Sequence, residues 1–316
     1  MLAPEPEQAS PRGGMPPSGD QLEIVHGEQR AGIVEVGGGI RHYSVGARDV
    51  LDPYPLLEIC DGAHGAPLIP WPNRLADGRY SFDGESHQLA LSEPERHNAI
   101  HGLLRWRSWR ALTQERSSVT MGTRLQPMPG YPFALELQIA YELGEAGLCV
   151  TTTARNVGPR RCPYAAGQHP YLSPGSGTID DCTLELPAAV RVLTDAQRKL
   201  PTGTEGVAGT GCDFRTARRL GDRQVDSAYT ELARTPDGRA TVRLGAADGR
   251  TVELWVDESY PVIEIYTGDA LGRERRRRGL GVEPMTCLPN ALHSGDGIVV
   301  LEPGREHVTR WGVRLR

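Results

Sequence analysis

No run of about 18 consecutive apolar residues occurs in this chain of 316, so no helical membrane span is expected. The N-terminus carries neither the basic segment nor the apolar run of a secretion signal, which leaves the cytoplasm as the default setting. Positive charge is not in excess: the formal net charge is -5, and nothing electrostatic points to nucleic acid as a partner. The six cysteines, Cys60, Cys149, Cys162, Cys182, Cys212 and Cys287, include no Cys-x-x-Cys pair, which removes a zinc ribbon and a thioredoxin-type motif. Spread this thinly they read as reduced intracellular thiols, not as a disulfide scaffold. The serine elbow of a hydrolase, a phosphate-cradling glycine loop and a His-Glu-x-x-His metal helix are all missing. Missing too is any internal repeat with a period of about 20–50 residues, which argues against a propeller.

What the chain has is turns. It contains 38 Gly and 25 Pro, residues that long helices tolerate poorly, alongside 38% hydrophobic and 24% charged residues. A soluble, all-β protein is the expectation. Residues 1–20 hold almost nothing to bury and read as a disordered tail. No linker divides the remainder, so residues 21–316 are taken as a single domain.

Within that domain apolar residues recur with a period of two. Ile33, Val34 and Val36 lead through Gly37-Gly38-Gly39 into an alternating stretch from Ile40 to Val45. Tyr80 and Phe82 precede Asp83-Gly84, a favoured hairpin dipeptide, with Leu89 and Leu91 beyond it. Phe133, Leu135, Leu137, Ile139, Tyr141 and Leu143 alternate strictly, and a short loop at Gly144–Gly147 leads to Leu148, Val150 and Thr152. Val242 and Leu244, then Val252, Leu254 and Val256, flank Asp248-Gly249. Val262 to Tyr266, Ile298 to Leu301 and Val308 to Leu315 complete the set, and Asp195–Leu200 reads as a single turn. Alternation of this kind buries one face of each strand. Many such strands predict a large antiparallel β-sandwich.

Five segments place polar residues where strand packing does not require them. His169 is locked by Pro170 inside Gly167-Gln168-His169-Pro170-Tyr171; proline restricts the residue before it, and an imidazole suits proton transfer, although a plain turn also explains such a motif. Glu283 lies among apolar residues in Gly281-Val282-Glu283-Pro284-Met285, where burial raises a carboxyl toward a useful base. The other reading pairs it with one of Arg275–Arg278. Arg74, after Trp71-Pro72-Asn73, offers a rigid fork of donors to sugar hydroxyls or an anion, or else pairs with Asp77. His101, in Asn98-Ala99-Ile100-His101-Gly102, either faces a cavity or donates to a core carbonyl. Asp226 can accept two hydroxyl hydrogen bonds or cap a turn. His101, His169 and Glu283 are metal-capable residue types, but no local pair has ligand spacing, and no metal is expected.

In this order and at these separations the segments resemble the aldose 1-epimerase (galactose mutarotase) family. The likeness runs from about residue 25 to the C-terminus. It includes Asn73-Arg74 with Asp77-Gly78-Arg79-Tyr80, His101-Gly102, Gly167–Tyr171, Leu200-Pro201-Thr202-Gly203 and Asp213-Phe214-Arg215. Tyr266-Thr267-Gly268, Glu283 with Pro289-Asn290, and Leu301-Glu302-Pro303-Gly304 complete it. The stretch Val282–Cys287 is most similar to a branch of bacterial mutarotase-like proteins that includes sulfosugar-operon members. The resemblance implies a large β-sandwich with a sugar site on a concave sheet face. It implies Glu283 as general base on the anomeric hydroxyl, His169 as general acid on the ring oxygen, and His101, Arg74 and Asp226 as holders of sugar hydroxyls. The family commonly has Pro-Asp where this chain has Pro289-Asn290; that position carries none of these roles, so the change is expected to affect the loop and not the chemistry.

Interconverting the anomers of a free hexose opens a hemiacetal and recloses it, moving two protons and no electrons, so no cofactor is expected. Two other readings stay open. One is a carbohydrate-binding module with the same pocket and no turnover. The other is a mutarotase or epimerase of a phosphorylated or sulfonated hexose, for which Arg41, Arg105, Arg107 and Arg275–Arg278 are candidate cations, the last four forming a solvated loop otherwise. The expected partner is a small-molecule sugar, with neither nucleic acid nor membrane; monomer and homodimer are left undecided.

Overall fold

The alternating segments become paired strands in the computed structural model, which describes residues 14–175 and 177–316. Gln29–Val34 pairs antiparallel with Ile40–Val45, Arg79–Phe82 with Glu85–Gln88, Leu135–Gly144 with Gly147–Asn156, and Ala240–Gly245 with Thr251–Val256. Every hairpin expected from the sequence is therefore present. The chain is all-β: among the described residues the single α-helix is the turn Ala291–Ser294. Asp195–Leu200 is a turn, tied by the Asp195 carboxylate accepting from the amides of Gln197 and Leu200.

Two large antiparallel sheets hold the strands, one of 12 and one of nine. Leu135, Leu137, Ile139 and Tyr141 of the nine-stranded sheet are fully buried, while the residues between them face outward. They share one apolar core with Ile24, Ile33, Tyr43, Ile263, Ile265 and Val282 of the larger sheet. Two facing sheets with period-two strands bury a large apolar area, which is the dominant stabilising term.

Of the tail expected over residues 1–20, Ser18 is buried, its carbonyl accepts the amide of Val36, and the Asp20 carbonyl accepts that of Glu35, so pairing reaches back to Ser18. Residues 1–13 lie outside the described residues.

Register in the larger sheet positions the site. Asp226 pairs with Tyr266, Tyr266 with Gly281, and Gly281 with Tyr171; one step along, Glu264 pairs with Glu283. Cross-strand partners share a face, and so do residues two apart. Asp226, Tyr266, Glu264, Glu283 and Tyr171 thus lie on the face opposite Ile263, Ile265 and Val282, which belong to the core. This strand group is apolar on one side and chemically equipped on the other.

Candidate active site

A cavity of about 970 Å³ opens on that face, within the range that suits small ligands. His169, Glu283, His101, Arg74 and Asp226 all line it, although more than two hundred residues separate the first and last of them in the chain.

His169 is anchored by its backbone before its side chain does anything. Its amide donates to the Ala66 carbonyl and its carbonyl accepts from Gly65. Its ring lies flat against Tyr171, 4.8 Å away at 15°, and its Nε2 stands 3.1 Å from Glu283 Oε1. Gly281 packs beside this ring: a Cβ there would reach ordinary contact with His169 Cε1 at 3.6 Å and crowd Tyr266 Cβ at 3.1 Å. Burial, then the nearby His64 and Arg105, pushes His169 well below the ordinary imidazole range. Burial and then Asp226 push Glu283 up, to about 8, against the opposing pull of Arg74 and Arg105. An imidazole held low and a carboxyl held high thus face each other at 3.1 Å. None of Arg275–Arg278 reaches Glu283, so the ion pair considered from the sequence is not formed.

His101 reverses the expected alternative. Its ring does not donate to a carbonyl; Nδ1 accepts the backbone amide of Asn73 at 3.2 Å. Asn73 and His101 both adopt left-handed backbone, φ 54° and 61°, and the His101 amide returns a bond to the Asn73 carbonyl. Such strain in two non-glycine residues persists where the surroundings over-determine it. Burial, with Arg105, His169 and Arg74, holds His101 well below the usual histidine range, so the ring is neutral and Nε2 carries its proton. His101, His169 and Glu283 have ligand atoms within 4.8 Å of one another; a cation on His101 Nε2 would need the tautomer that gives up the Asn73 bond.

Arg74 takes Glu93 as its partner, not Asp77: Nε and Nη2 donate to the two carboxylate oxygens at 2.8 and 2.9 Å. The pair fixes the guanidinium and leaves its remaining donors to the cavity. Asp77 instead meets Arg198. Asp226 caps no turn; it begins a strand and stands 3.5 Å from Lys199, the single lysine of the chain.

Several residues of the site escaped the sequence reading. Glu264 is 3% exposed, cross-strand to Glu283, with Asn73 Nδ2 3.5 Å from its carboxyl. Burial, then Asp226 and Glu283, raises it well above the carboxylate range. A carboxyl inside Val-Ile-Glu-Ile-Tyr was the available signal. His64, in Gly62-Ala63-His64-Gly65, carried the same small-residue signature as His101-Gly102. Asn290, at φ 66°, accepts the Ala76 amide on Oδ1 at 2.9 Å and its own amide donates to the Arg74 carbonyl, bonds an aspartate could make equally. It secures the short strand that carries Arg74.

Among the arginines proposed for an anionic sugar, most are already engaged. Arg41 donates to Gln21; Arg275 meets Glu58 and the Pro53 carbonyl; Arg277 is buried between Asp180 and Asp269; Arg278 lies near Asp52. The run is therefore not a wholly solvated loop. Arg107 is exposed. Arg105 lines the cavity and, among the described residues, makes no hydrogen bond or ion pair.

Solved structures share the fold: the GalM/aldose epimerase homologue from C. elegans superposes with a TM-score of 0.83 at 19% identity, covering 94% of this chain and 98% of its own. A galactose mutarotase-like protein from Clostridium acetobutylicum gives 0.81 at 17% identity, covering 93% and 94%. A profile of the aldose 1-epimerase family matches residues 20–313. YihR of Escherichia coli (strain K12) is 33% identical over 297 residues, 92% of this chain and 91% of its own length. Galactose mutarotase of Rattus norvegicus is 27% identical over 268 residues, 77% and 76% of the two chains. The chain belongs to the aldose 1-epimerase family. It is accordingly an isomerase that interconverts sugar anomers, and not the binding module that the sequence left open.

Proposed function

We propose that this protein interconverts the α and β anomers of a free hexose, with Glu283 and His169 as the proton-exchanging pair. The observation that carries the reading is the 3.1 Å contact between His169 Nε2 and Glu283 Oε1 at the floor of a sugar-sized cavity, with opposed shifts of the two groups. One proton moved from Glu283 to His169 leaves a carboxylate and an imidazolium. The carboxylate takes the anomeric hydroxyl proton while the imidazolium protonates the ring oxygen, and the ring opens without an isolated charge. After rotation about the adjacent carbon–carbon bond, closure runs both transfers backwards. Each group must serve in both directions, which favours pKa values near the working pH. His101 Nε2–H and the free donors of Arg74 hold sugar oxygens, and Asp226 accepts from a hydroxyl.

The test is anomer exchange of freshly dissolved glucose and galactose, followed by polarimetry, in wild type and His169→Asn. A folded variant that keeps wild-type rates refutes the assignment. A second reading, a hexose carrying a phosphate or sulfonate, is favoured by the Arg105 guanidinium on the cavity wall, which lies over the Trp106 ring and, among the described residues, meets no carboxylate. It requires a higher kcat/KM for the anionic sugar than for glucose, lost in Arg105→Gln; equal values for both sugars exclude it. A cytoplasmic setting fits either reading, since all six cysteines are free thiols.

A further inference from the structure

Of the 35 lysine and arginine residues in the chain a single one is lysine, and it stands on the cavity wall. Lys199 lies in the turn between the strands Ala188–Thr194 and Pro201–Gly206, a hairpin at one edge of the larger sheet. The turn is built more firmly than a connection requires. The Asp195 carboxylate accepts the amides of Gln197, Arg198 and Leu200, and the Lys199 amide donates to the Asp195 carbonyl. Residues 93–98, which also reach the cavity wall, dock against it. Arg198 donates to the carbonyls of Arg96 and His97 and to Asp77, Arg96 donates to the Gln197 carbonyl, and Asn98 Nδ2 donates to the Arg198 carbonyl at 2.9 Å. Asn98 Nδ2 also lies 3.1 Å from Glu93, the partner of Arg74, so one network fixes both Lys199 and Arg74.

Held in this way Lys199 takes left-handed backbone, φ 59°, which glycine or asparagine adopts with less strain. What a lysine adds at this position is its side chain. Its Nζ stands 3.5 Å from Asp226 Oδ2, with the two side chains 31% and 33% exposed. An ion pair this open contributes little to stability. It does present the cavity with an N–H donor beside a carboxylate acceptor, and both groups have bonding capacity to spare. Adjacent hydroxyls on a pyranose ring match such a pair, since one can donate while its neighbour accepts. An anionic substituent fits poorly there, because the Asp226 carboxylate would repel it. The other charged groups around the pair are Arg74 with Glu93, Arg191 with Glu205, and the buried Glu264. Asp226 begins a strand two removed from that of Glu283, so a sugar reacting at Glu283 turns its remote hydroxyls toward Asp226 and Lys199.

We propose that Lys199 is a substrate-binding residue of this site, which together with Asp226 reads two adjacent neutral hydroxyls of the hexose on the side away from the anomeric carbon. The inference rests on the anomer exchange proposed above. With sugar bound, Asp226 accepts from one hydroxyl and Lys199 Nζ donates to the next oxygen. The docked turn keeps the ammonium in place for that contact before the sugar arrives.

The test uses the full chain. In Lys199→Met, with folding checked by circular dichroism and each protein assayed at its own optimum pH, KM for glucose should rise about tenfold or more while kcat stays within about threefold, as expected for losing a hydrogen bond from a charged donor. Across 2-, 3-, 4- and 6-deoxyglucose, wild type should lose about tenfold in kcat/KM on at least one sugar, and Lys199→Met should lose less than about twofold on that same sugar. An unmoved KM, or the same deoxy-sugar pattern in both proteins, overturns the proposal. Wild type supplies a measurement that needs no variant. With one lysine in the chain, brief acetylation marks Lys199 and the α-amine, and mass spectrometry follows the two separately. Glucose at about ten times its dissociation constant, with binding checked by calorimetry, should slow acetylation of Lys199 about tenfold and leave the α-amine unchanged. Equal labelling with and without bound sugar overturns the proposal even if the variant does not fold. Wild type that binds glucose without exchanging its anomers overturns the anomer-exchange reading, and the labelling result then decides the role of Lys199 by itself; wild type that binds no hexose overturns both.

Discussion

Replacing Glu283 by Gln separates chemistry from folding, because the two should respond in opposite ways. An amide has nearly the shape of a protonated carboxyl and can still donate to His169 Nε2 across the 3.1 Å contact. It cannot exchange that proton. Losing one positioned acid–base group costs about 10²–10⁴-fold in rate, or roughly 3–5 kcal/mol of transition-state stabilisation. Stability follows from the raised carboxyl. Glu283 sits at about 8 in the fold against 4.5 ordinarily, so between those values the folded state binds more protons than the unfolded one. Its contribution is fully present below pH 4.5 and is lost as pH rises toward 8, at up to about 1.4 kcal/mol per unit. Gln carries no such penalty. Glu283→Gln should therefore match wild type below pH 4.5, gain on it by up to about 1.4 kcal/mol per unit as pH rises to about 8, keep that gain above, and be nearly inactive throughout. Polarimetry of fresh α-glucose gives the rates, and thermal unfolding by circular dichroism at several pH values gives the stabilities. A variant within threefold of wild-type rate would remove Glu283 from the reaction. One that unfolds far below wild type at pH 8 would refute the assignment of a buried neutral carboxyl.

The remaining expectations concern the same face of the sheet. The wild-type kcat/KM profile should be bell-shaped, declining on the alkaline side near pH 8 as the pair loses its last proton, and on the acid side below pH 6.5 as it gains a second. Asp226→Asn removes a negative neighbour that raises Glu283, so the alkaline limb should move to lower pH; a limb that stays in place would show Asp226 to be electrostatically remote. Gly281→Val should cost at least about tenfold in activity, since its branches would enter the space of the His169 ring, and a variant of undiminished rate would contradict that packing. Asn290→Ala should destabilise the fold by about 1–3 kcal/mol in urea titration by orphaning the Ala76 amide, and Asn290→Gly should recover only the left-handed backbone part of the loss.

Much of the fold could be read from alternation alone. Leu135 to Leu143 announce a half-buried strand because side chains alternate faces by geometry, and a turn of four residues returns the chain beside itself. The early boundary was misjudged for the complementary reason. Ser18 and Asp20 are ordered by backbone bonds to Val36 and Glu35, and a backbone bond leaves no mark in side-chain composition. The site divides in the same way. Glu283 and His169 stood out because a carboxyl among apolar residues and an imidazole pinned by proline are locally anomalous. Glu264 was equally anomalous within its strand, yet it gains meaning only from being cross-strand to Glu283.

Residue types and periodicity thus determined the strands, the two-faced sheet and the inventory of acids, bases and donors. Pairing across the fold decided who meets whom: Arg74 with Glu93 and not Asp77, the Asn73 amide on His101 Nδ1, Glu283 clear of the arginine run, and Arg105 on the cavity wall over Trp106. These contacts join positions tens to hundreds of residues apart. Hydrogen bonds and proton sharing act over a few ångströms of space, so only the folded chain could select them.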